Sequence, residues 1–245
     1  MSTSTDTNPT STPKEDEQQK DPKWKGQSRT LKICHWCAKK QEPGVKPFQA
    51  CAKCKEVIYC SKECQVASWP HHKGPCKSAV ESKKQLEGKP ELAQQIAVFK
   101  KWHSTNVDLL RHAFICALDL GHNPTAATTN LIFIALTLKP DHATQPARAK
   151  YTVHNGFTLT DAEARDMLGA QGPQGLQMLE NARQNSEFMR KKGGLGLARL
   201  LLMENEKKMV DFTTIVLPSK ENARLAQEKE DWGEDWIEQL RLALP

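Results

Sequence analysis

The pattern of apolar and polar positions divides the chain into a polar start, a cysteine-rich stretch and a longer amphipathic part. Residues 1–30 hold few apolar side chains, so they cannot bury enough surface to offset the entropy of ordering. We therefore expect a disordered tail over residues 1–30. Residues 31–77 form the cysteine-rich unit, and the charged stretch 78–90 is expected to be a helical or loose linker.

Beyond the linker, apolar residues recur at intervals of three and four, which is the spacing of one helix face. The pattern predicts a helix from Glu91 to about His103. A second helix is predicted to follow, with Ser104 or Thr105 as its N-terminal cap. It is expected to stop at Gly121, because glycine is favoured just beyond helix ends.

The remaining part of the chain predicts short strands and further helices. Apolar and β-branched runs predict strands over residues 131–138, 150–153, 196–203 and 209–217. Helices are predicted after a cap at Thr160, over residues 175–190, and around Trp232 and Trp236. Residues 91–245 are therefore expected to form an α+β domain of unknown role, with helices and a small, mostly antiparallel sheet.

Composition limits the classes of protein to consider. The longest unbroken apolar runs, of which Leu131 to Leu136 is one, are far shorter than the roughly 20 residues that a membrane helix needs. The polar start lacks the apolar core of a secretory signal, so we expect an intracellular protein, with cytoplasm and nucleus undecided. In such a reducing compartment, clustered cysteines are typical of metal ligands rather than disulfides.

Seven of the eight cysteines lie between residues 34 and 76, where one histidine completes their pattern. The pattern is Cys34-x2-Cys37, Cys51-x2-Cys54, Cys60-x3-Cys64 and His72-x3-Cys76. These eight ligands suffice for two tetrahedral zinc sites with no open position, whether the pairs combine sequentially or interleave. His71 is an alternative to His72, but the spacings favour His72. A redox or disulfide role for the cysteines is the competing interpretation.

The ligand spacing, together with Tyr59, Gln65 and Trp69, resembles the MYND zinc finger over residues 34–76. The resemblance implies a cross-brace that holds two Zn²⁺ ions. It assigns one zinc to Cys34, Cys37, Cys60 and Cys64, and the other to Cys51, Cys54, His72 and Cys76.

The resemblance also implies a protein partner, namely a proline-containing peptide bound against Gln65 and Trp69, in a transcriptional or signalling adaptor. An indole face is a good platform for proline rings. The competing interpretation is that Trp69 only packs against the zinc module. Val57 and Ile58 are predicted to offer an edge strand to a peptide. Pro70, directly after Trp69, suits the first position of a short helix. It is a departure within the resemblance, at the position of the peptide groove.

Two other functions compete with a binding module. A SET-type lysine methyltransferase requires SET sequence before the finger, and only about thirty residues precede Cys34. No recognisable SET motif follows the finger, so we expect a protein that is not an enzyme. Direct nucleic-acid binding is disfavoured, because the finger contains no arginine, the commonest reader of guanine. Cys116 lies on an apolar helix face and is expected to be buried rather than reactive.

Overall fold

The computed structural model describes residues 26–170 and 172–245, which contain a zinc-finger-like unit and a larger domain. The helices in these residues are α1 (Gln27–Leu31), α2 (Lys62–Gln85), α3 (Pro90–Thr105), α4 (Val107–Ala117), α5 (Asp161–Gly169), α6 (Pro173–Lys191), α7 (Lys220–Lys229) and α8 (Trp236–Ala243). The strands are β1 (Gln49–Ala50), β2 (Ile58–Tyr59), β3 (Asn130–Leu138), β4 (Tyr151–Thr160), β5 (Leu197–Glu204) and β6 (Met209–Val216). No helix in these residues is long and apolar enough to cross a membrane.

The larger domain is built on a four-stranded sheet with the strand order β4-β3-β5-β6. The two outer pairs, β3 with β4 and β5 with β6, are antiparallel. The central pair, β3 with β5, is parallel, and the connection between its strands includes β4, α5 and α6. The predicted α+β domain with a small, mostly antiparallel sheet is therefore confirmed.

Helices cover both faces of this sheet. On one face, Ile132 and Ile134 of β3 pack with Trp102 of α3, Phe114 of α4 and Leu240 of α8. The opposite face carries a second apolar cluster against α5 and α6, with members Leu131, Phe133, Ala135, Leu159, Ala164, Leu168, Leu179 and Leu201. Because β3 is buried on both sides, its sequence is an unbroken apolar run rather than an alternating one.

Several element ends differ from the sequence predictions. Neither Ser104 nor Thr105 caps α4: the cap position is Asn106, and the Thr105 hydroxyl instead donates to the carbonyls of Lys101 and Trp102. That bond satisfies the end of α3, so the hydroxyl is turned away from α4. Helix α4 ends at Ala117, four residues before the predicted stop.

The elements that follow α4 include one strand that is longer than predicted, one cap that is confirmed and one helix that was not predicted. Strand β4 continues from Tyr151 to Thr160, because it pairs with β3 along its full length. Thr160 then caps α5 as predicted: its hydroxyl accepts from the Glu163 N–H, while the Glu163 carboxylate accepts from the Thr160 N–H. Helix α7, which the apolar pattern did not indicate, follows β6.

The start of the described chain is tied to the cysteine-rich unit. Residues 27–30 of the segment expected to be disordered are instead helical in α1, and residues 1–25 of that segment lie outside the described residues. The Gly26 N–H donates to the Glu56 carbonyl at 3.1 Å, and the buried Ser28 hydroxyl accepts from the Ile58 N–H at 3.2 Å. Helix α2 runs from within the cysteine-rich unit to Gln85, so it includes much of the predicted linker.

Candidate metal centre

Two equivalent turns position the first two cysteine pairs. The Ala38 N–H donates to the Cys34 carbonyl at 3.0 Å, and the Lys55 N–H donates to the Cys51 carbonyl at the same distance. Ala38 and Lys55 both adopt left-handed backbone conformations, with φ of 58° and 57°. Each turn folds the chain back after its Cys-x2-Cys pair, so that both thiols of the pair face the same point.

The β1–β2 hairpin and helix α2 bring the other ligand pairs to these turns. Strand β2 ends at Tyr59, directly before Cys60, and Ser61 caps α2 by accepting from the Cys64 N–H at 3.3 Å. His72 and Cys76 lie one helical turn apart on the buried face of α2.

The structure brings the eight predicted ligands together as two interleaved sets. Within each set, all donor atoms lie within 4.8 Å of one another. One set is Cys34, Cys37, Cys60 and Cys64, and the other is Cys51, Cys54, His72 and Cys76. Spacing alone left sequential and interleaved grouping open, and the geometry is interleaved.

The donor distances match the edges of zinc tetrahedra. Zn–S bonds of about 2.3 Å and Zn–N bonds of about 2.0 Å give S···S edges of about 3.8 Å and S···N edges of about 3.6 Å. The Cys37 and Cys60 sulfurs are 3.6 Å apart, and those of Cys51 and Cys76 are 3.8 Å apart. The Cys54 sulfur is 3.5 Å from His72 Nε2. These sulfurs are far beyond the roughly 2.05 Å of a disulfide.

The pKa shifts of the thiols indicate that a cation stabilises each donor set. Burial and the neighbouring thiolates of Cys54 and Cys51 raise the pKa of the Cys76 thiol to about 12. Burial also raises the pKa of Cys34, but backbone N–H groups, including that of Cys37, outweigh it and hold this pKa at about 7. Converging thiolates repel one another until a cation lies between them. The two donor sets therefore fit two Zn²⁺ ions, whose closed shells are structural.

The two adjacent histidines face different neighbours. His72 is buried and belongs to the second donor set. His71 is directed at helix α6: its Nδ1 lies 3.0 Å from Asn185 Oδ1, and its ring lies 4.1 Å from the ring of Phe188. The alternative of His71 as a ligand is therefore not the arrangement found.

The residues predicted to contact a peptide lie on the outer part of α2. Trp69 is 39% exposed, with one ring contact to His72 at 6.3 Å between centroids. The Lys53 Nζ lies 5.8 Å from the Trp69 ring, and Gln65, one turn earlier on α2, is half-buried. The indole thus touches the zinc module at one edge and leaves a large part of its surface to solvent.

Two predictions about the surroundings of this surface are wrong. The outer edge of β2 does not accept a peptide strand, because the Ile58 N–H donates to Ser28 and its carbonyl accepts from the His35 N–H at 2.8 Å. Pro70 does not begin a helix: it lies inside α2, as does Pro75. The free edge of the hairpin belongs instead to β1, whose two residues are exposed.

A contact between the finger and the larger domain was missed by the sequence analysis. The Trp36 ring, between the first two cysteines, stacks on Phe188 of α6 at 5.2 Å between centroids. The Lys192 Nζ lies 4.0 Å from the Trp36 ring centre and 4.3 Å from that of Phe188. Two aromatic residues 152 positions apart carry no local pattern that would pair them.

Cys116, the cysteine outside the finger, is buried. It is 4% exposed on α4, and burial raises the pKa of its thiol to about 11. A thiol that stays protonated at neutral pH is a poor nucleophile. The prediction that Cys116 is buried is confirmed.

Comparison with known proteins identifies the cysteine-rich unit. Residues 34–76 match the sequence model of the MYND finger. The SET domain and MYND-type zinc finger protein 6 of Schizosaccharomyces pombe is 57% identical over 35 residues, which are 14% of this chain and 7% of that relative. The chain therefore spans only a small part of this relative. No solved structure gives a significant match to the chain.

Proposed function

We propose, from the premise that residues 34–76 are a MYND finger, that this protein is a zinc-stabilised adaptor that binds proline-containing peptides. The finger is a protein-interaction module, and Trp69 with Gln65 is the proposed peptide contact. The observation that carries the proposal is the 39% exposure of an indole on a helix held by a metal ligand. The proposed zinc ligands are Cys34, Cys37, Cys60, Cys64, Cys51, Cys54, His72 and Cys76.

Exposure of Trp69 is informative because the small finger has few apolar groups to fill its own interior. A structural tryptophan in such a unit is expected to be buried. Trp69 is instead exposed, and Gln65 lies one helical turn before it on α2. An aromatic face binds proline rings, while a primary amide both donates to and accepts from a peptide backbone.

We further propose that the chain is not an enzyme and acts inside the cell. Both donor sets supply four protein ligands, so neither zinc has an open position for a substrate or an activated water. The resemblance to the SET-domain relative covers 35 residues, too few to carry that relative's other domain to this chain. Calorimetric titration of the full chain with S-adenosylmethionine tests the methyltransferase alternative, and the proposal expects no binding heat.

The peptide contact is tested by one substitution and a matched control. An array of proline-containing peptides is probed with the full chain, and the best binder is measured by fluorescence anisotropy. Trp69→Ala is expected to weaken binding at least about tenfold, since aromatic anchors carry much of the energy of such contacts. Val45→Ala, another exposed apolar residue of the finger, is expected to bind as the wild type does.

The zinc content of each variant is measured alongside binding. A Trp69→Ala protein that keeps both zinc ions and binds the peptide with unchanged affinity would remove the groove assignment. Gln65→Ala is expected to lose a smaller factor, about fivefold, because a hydrogen bond contributes roughly 1 kcal/mol.

A further inference from the structure

Helix α2 carries a continuous stripe of exposed side chains on the face that includes Trp69. The α2 stripe consists of Lys62, Val66, Trp69, Lys73, Lys77, Val80 and Lys84, all of them exposed. Steps of three and four residues place these side chains on one side of a helix. Twenty-two residue steps at 1.5 Å make the stripe about 33 Å long. The stripe is therefore longer than the few residues of the finger that a short peptide would contact.

The charged side chains of the α2 stripe are lysines, and the exposed Glu63 and Glu81 of the same helix lie beside it. Its four lysines have no acidic neighbour within the stripe itself. Among the described residues, none of the four lies within ion-pair distance of a carboxylate. An aromatic and two valines flanked by lysines favour an occupant that combines proline or apolar groups with carboxylates.

The chain supplies a segment of such composition before the described residues begin. Residues 8–17 read Asn-Pro-Thr-Ser-Thr-Pro-Lys-Glu-Asp-Glu, with two prolines and three carboxylates against one lysine. This stretch lies outside the described residues, and the sequence predicts no stable structure of its own for it. Its composition is complementary to the stripe in both charge and type of apolar group.

The place where the described chain begins puts this segment within reach. The Gly26 N–H is bonded to the Glu56 carbonyl, three residues from Lys53. Those three steps span at most about 11 Å, and the Lys53 ammonium lies 5.8 Å from the Trp69 ring. Nine residues lead from Glu17 to Gly26, with a maximum span of about 30 Å. The segment therefore reaches Trp69.

We propose that residues 8–17 bind the Trp69 end of the α2 stripe in the same chain, as an intramolecular ligand that competes with partner peptides. This inference rests on the proposed function, since it uses the same indole surface. The prolines Pro9 and Pro13 lie against Trp69, and the carboxylates of residues 15–17 pair with stripe lysines. A short tether gives an effective concentration on the order of millimolar, so even a weak contact is populated.

Binding of residues 8–17 to the α2 stripe lowers the apparent affinity for partner peptides. A partner must displace residues 8–17 before it reaches Trp69, so its apparent affinity is lowered by the occupied fraction. Removal of the intramolecular ligand is expected to tighten partner binding about tenfold. High salt is expected to weaken the contact of residues 8–17 with the α2 stripe, because the lysine–carboxylate pairs are exposed and screened.

The test compares full-length proteins that differ only in the tail. The tail variant carries Pro9→Ala, Pro13→Ala, Glu15→Lys, Asp16→Lys and Glu17→Lys. The control variant carries Ser2→Ala, Thr3→Ala, Ser4→Ala and Thr5→Ala, which alter neither charge nor proline content. The probe is a fluorescent synthetic peptide of residues 7–18. Each protein is also labelled with 5-fluorotryptophan, and the ¹⁹F resonance of Trp69 is assigned from a Trp69→Phe protein.

The proposal expects the Trp69 resonance of the tail variant to differ from that of the wild type, while the control matches the wild type. The probe is expected to bind the tail variant about tenfold more tightly than the wild type. Adding Trp69→Ala to the tail variant is expected to abolish this binding. An unchanged resonance, or equal probe affinity for wild type and tail variant, overturns the proposal.

Two outcomes separate this inference from the proposed function. If a peptide from the array binds all three proteins equally and requires Trp69, the peptide-binding function stands and the intramolecular ligand is wrong. If no proline-containing peptide binds even the tail variant, both are wrong. A Trp69 shift that grows with protein concentration, with a dimer seen by sedimentation, places the tail on a second copy and likewise overturns the intramolecular contact.

Discussion

Arg199 shows how a single buried residue joins two elements of the domain. Its guanidinium is 3% exposed and donates to Asp161 Oδ1, on the first residue of α5, at 2.6 Å. It also donates to the carbonyls of Ala127 and Asn130, at 3.2 Å and 3.0 Å. A buried charge is tolerated only when it is paired and hydrogen-bonded, and Arg199 meets both conditions. The position in β5 gave no sequence signal for this role.

We predict that Arg199→Met lowers the free energy of unfolding by about 3 kcal/mol, because two carbonyls and Asp161 lose their partner. The matched control is Arg183→Met on α6, whose guanidinium pairs at the surface with Glu180 and Glu187. No measurable loss is expected there, since exposed pairs contribute little. Urea denaturation of the zinc-loaded proteins makes the comparison, and equal losses in both variants would contradict the assignment.

At the scale of elements, a feature was predictable from the sequence where one short stretch contains all the residues that determine it. The capping box of Thr160 and Glu163 is such a case, as are the buried runs that became β3 and β5. The length of β4 was not, because it depends on pairing with β3. Helix α2 continues through Pro70 despite the lost hydrogen bond, and its residues His72 and Cys76 anchor it in the second donor set.

The stack of Trp36 on Phe188 is one element-scale contact between the finger and α6, beside that of His71 with Asn185 and Phe188. We predict that Phe188→Ala lets the finger reorient relative to the domain without loss of zinc. The expected result in ¹⁵N relaxation is that finger and domain amides tumble with different correlation times, whereas they share one in the wild type. Leu225→Ala on α7, an exposed leucine far from this stack in sequence, serves as control and is expected to change neither. Uniform tumbling of the Phe188→Ala protein would show that other contacts hold the finger.

For the whole molecule, the two units are held by different forces. The domain has two apolar clusters on the faces of its sheet, whereas the apolar cluster of the finger consists largely of its cysteines with Val57 and Tyr59. Interiors that small need a metal for stability. The dependence of the finger on metal and of the domain on apolar burial was predictable from composition. The contact between finger and domain was not predictable, because it joins residues that are distant in sequence.

We predict that a zinc chelator unfolds the finger and leaves the sheet of the domain intact. In hydrogen exchange, amides of the β1–β2 hairpin, such as Cys51 bonded to Val57, are expected to lose protection. Amides of β3 and β5, at the centre of the four-stranded sheet, are expected to keep it. Loss of protection throughout the chain, or none in the hairpin, would show that the units are not held separately.

The proposed peptide surface depends on the interleaved two-zinc finger, and zinc counting in paired variants tests that finger. Native mass spectrometry of the full chain is expected to give two zinc ions. Cys34→Ser with Cys60→Ser removes ligands from one donor set, so one zinc is expected to remain. Cys34→Ser with Cys51→Ser removes a ligand from each set, so none is expected. The reverse order of these two counts, or fewer than two zinc ions in the wild type, would contradict the account.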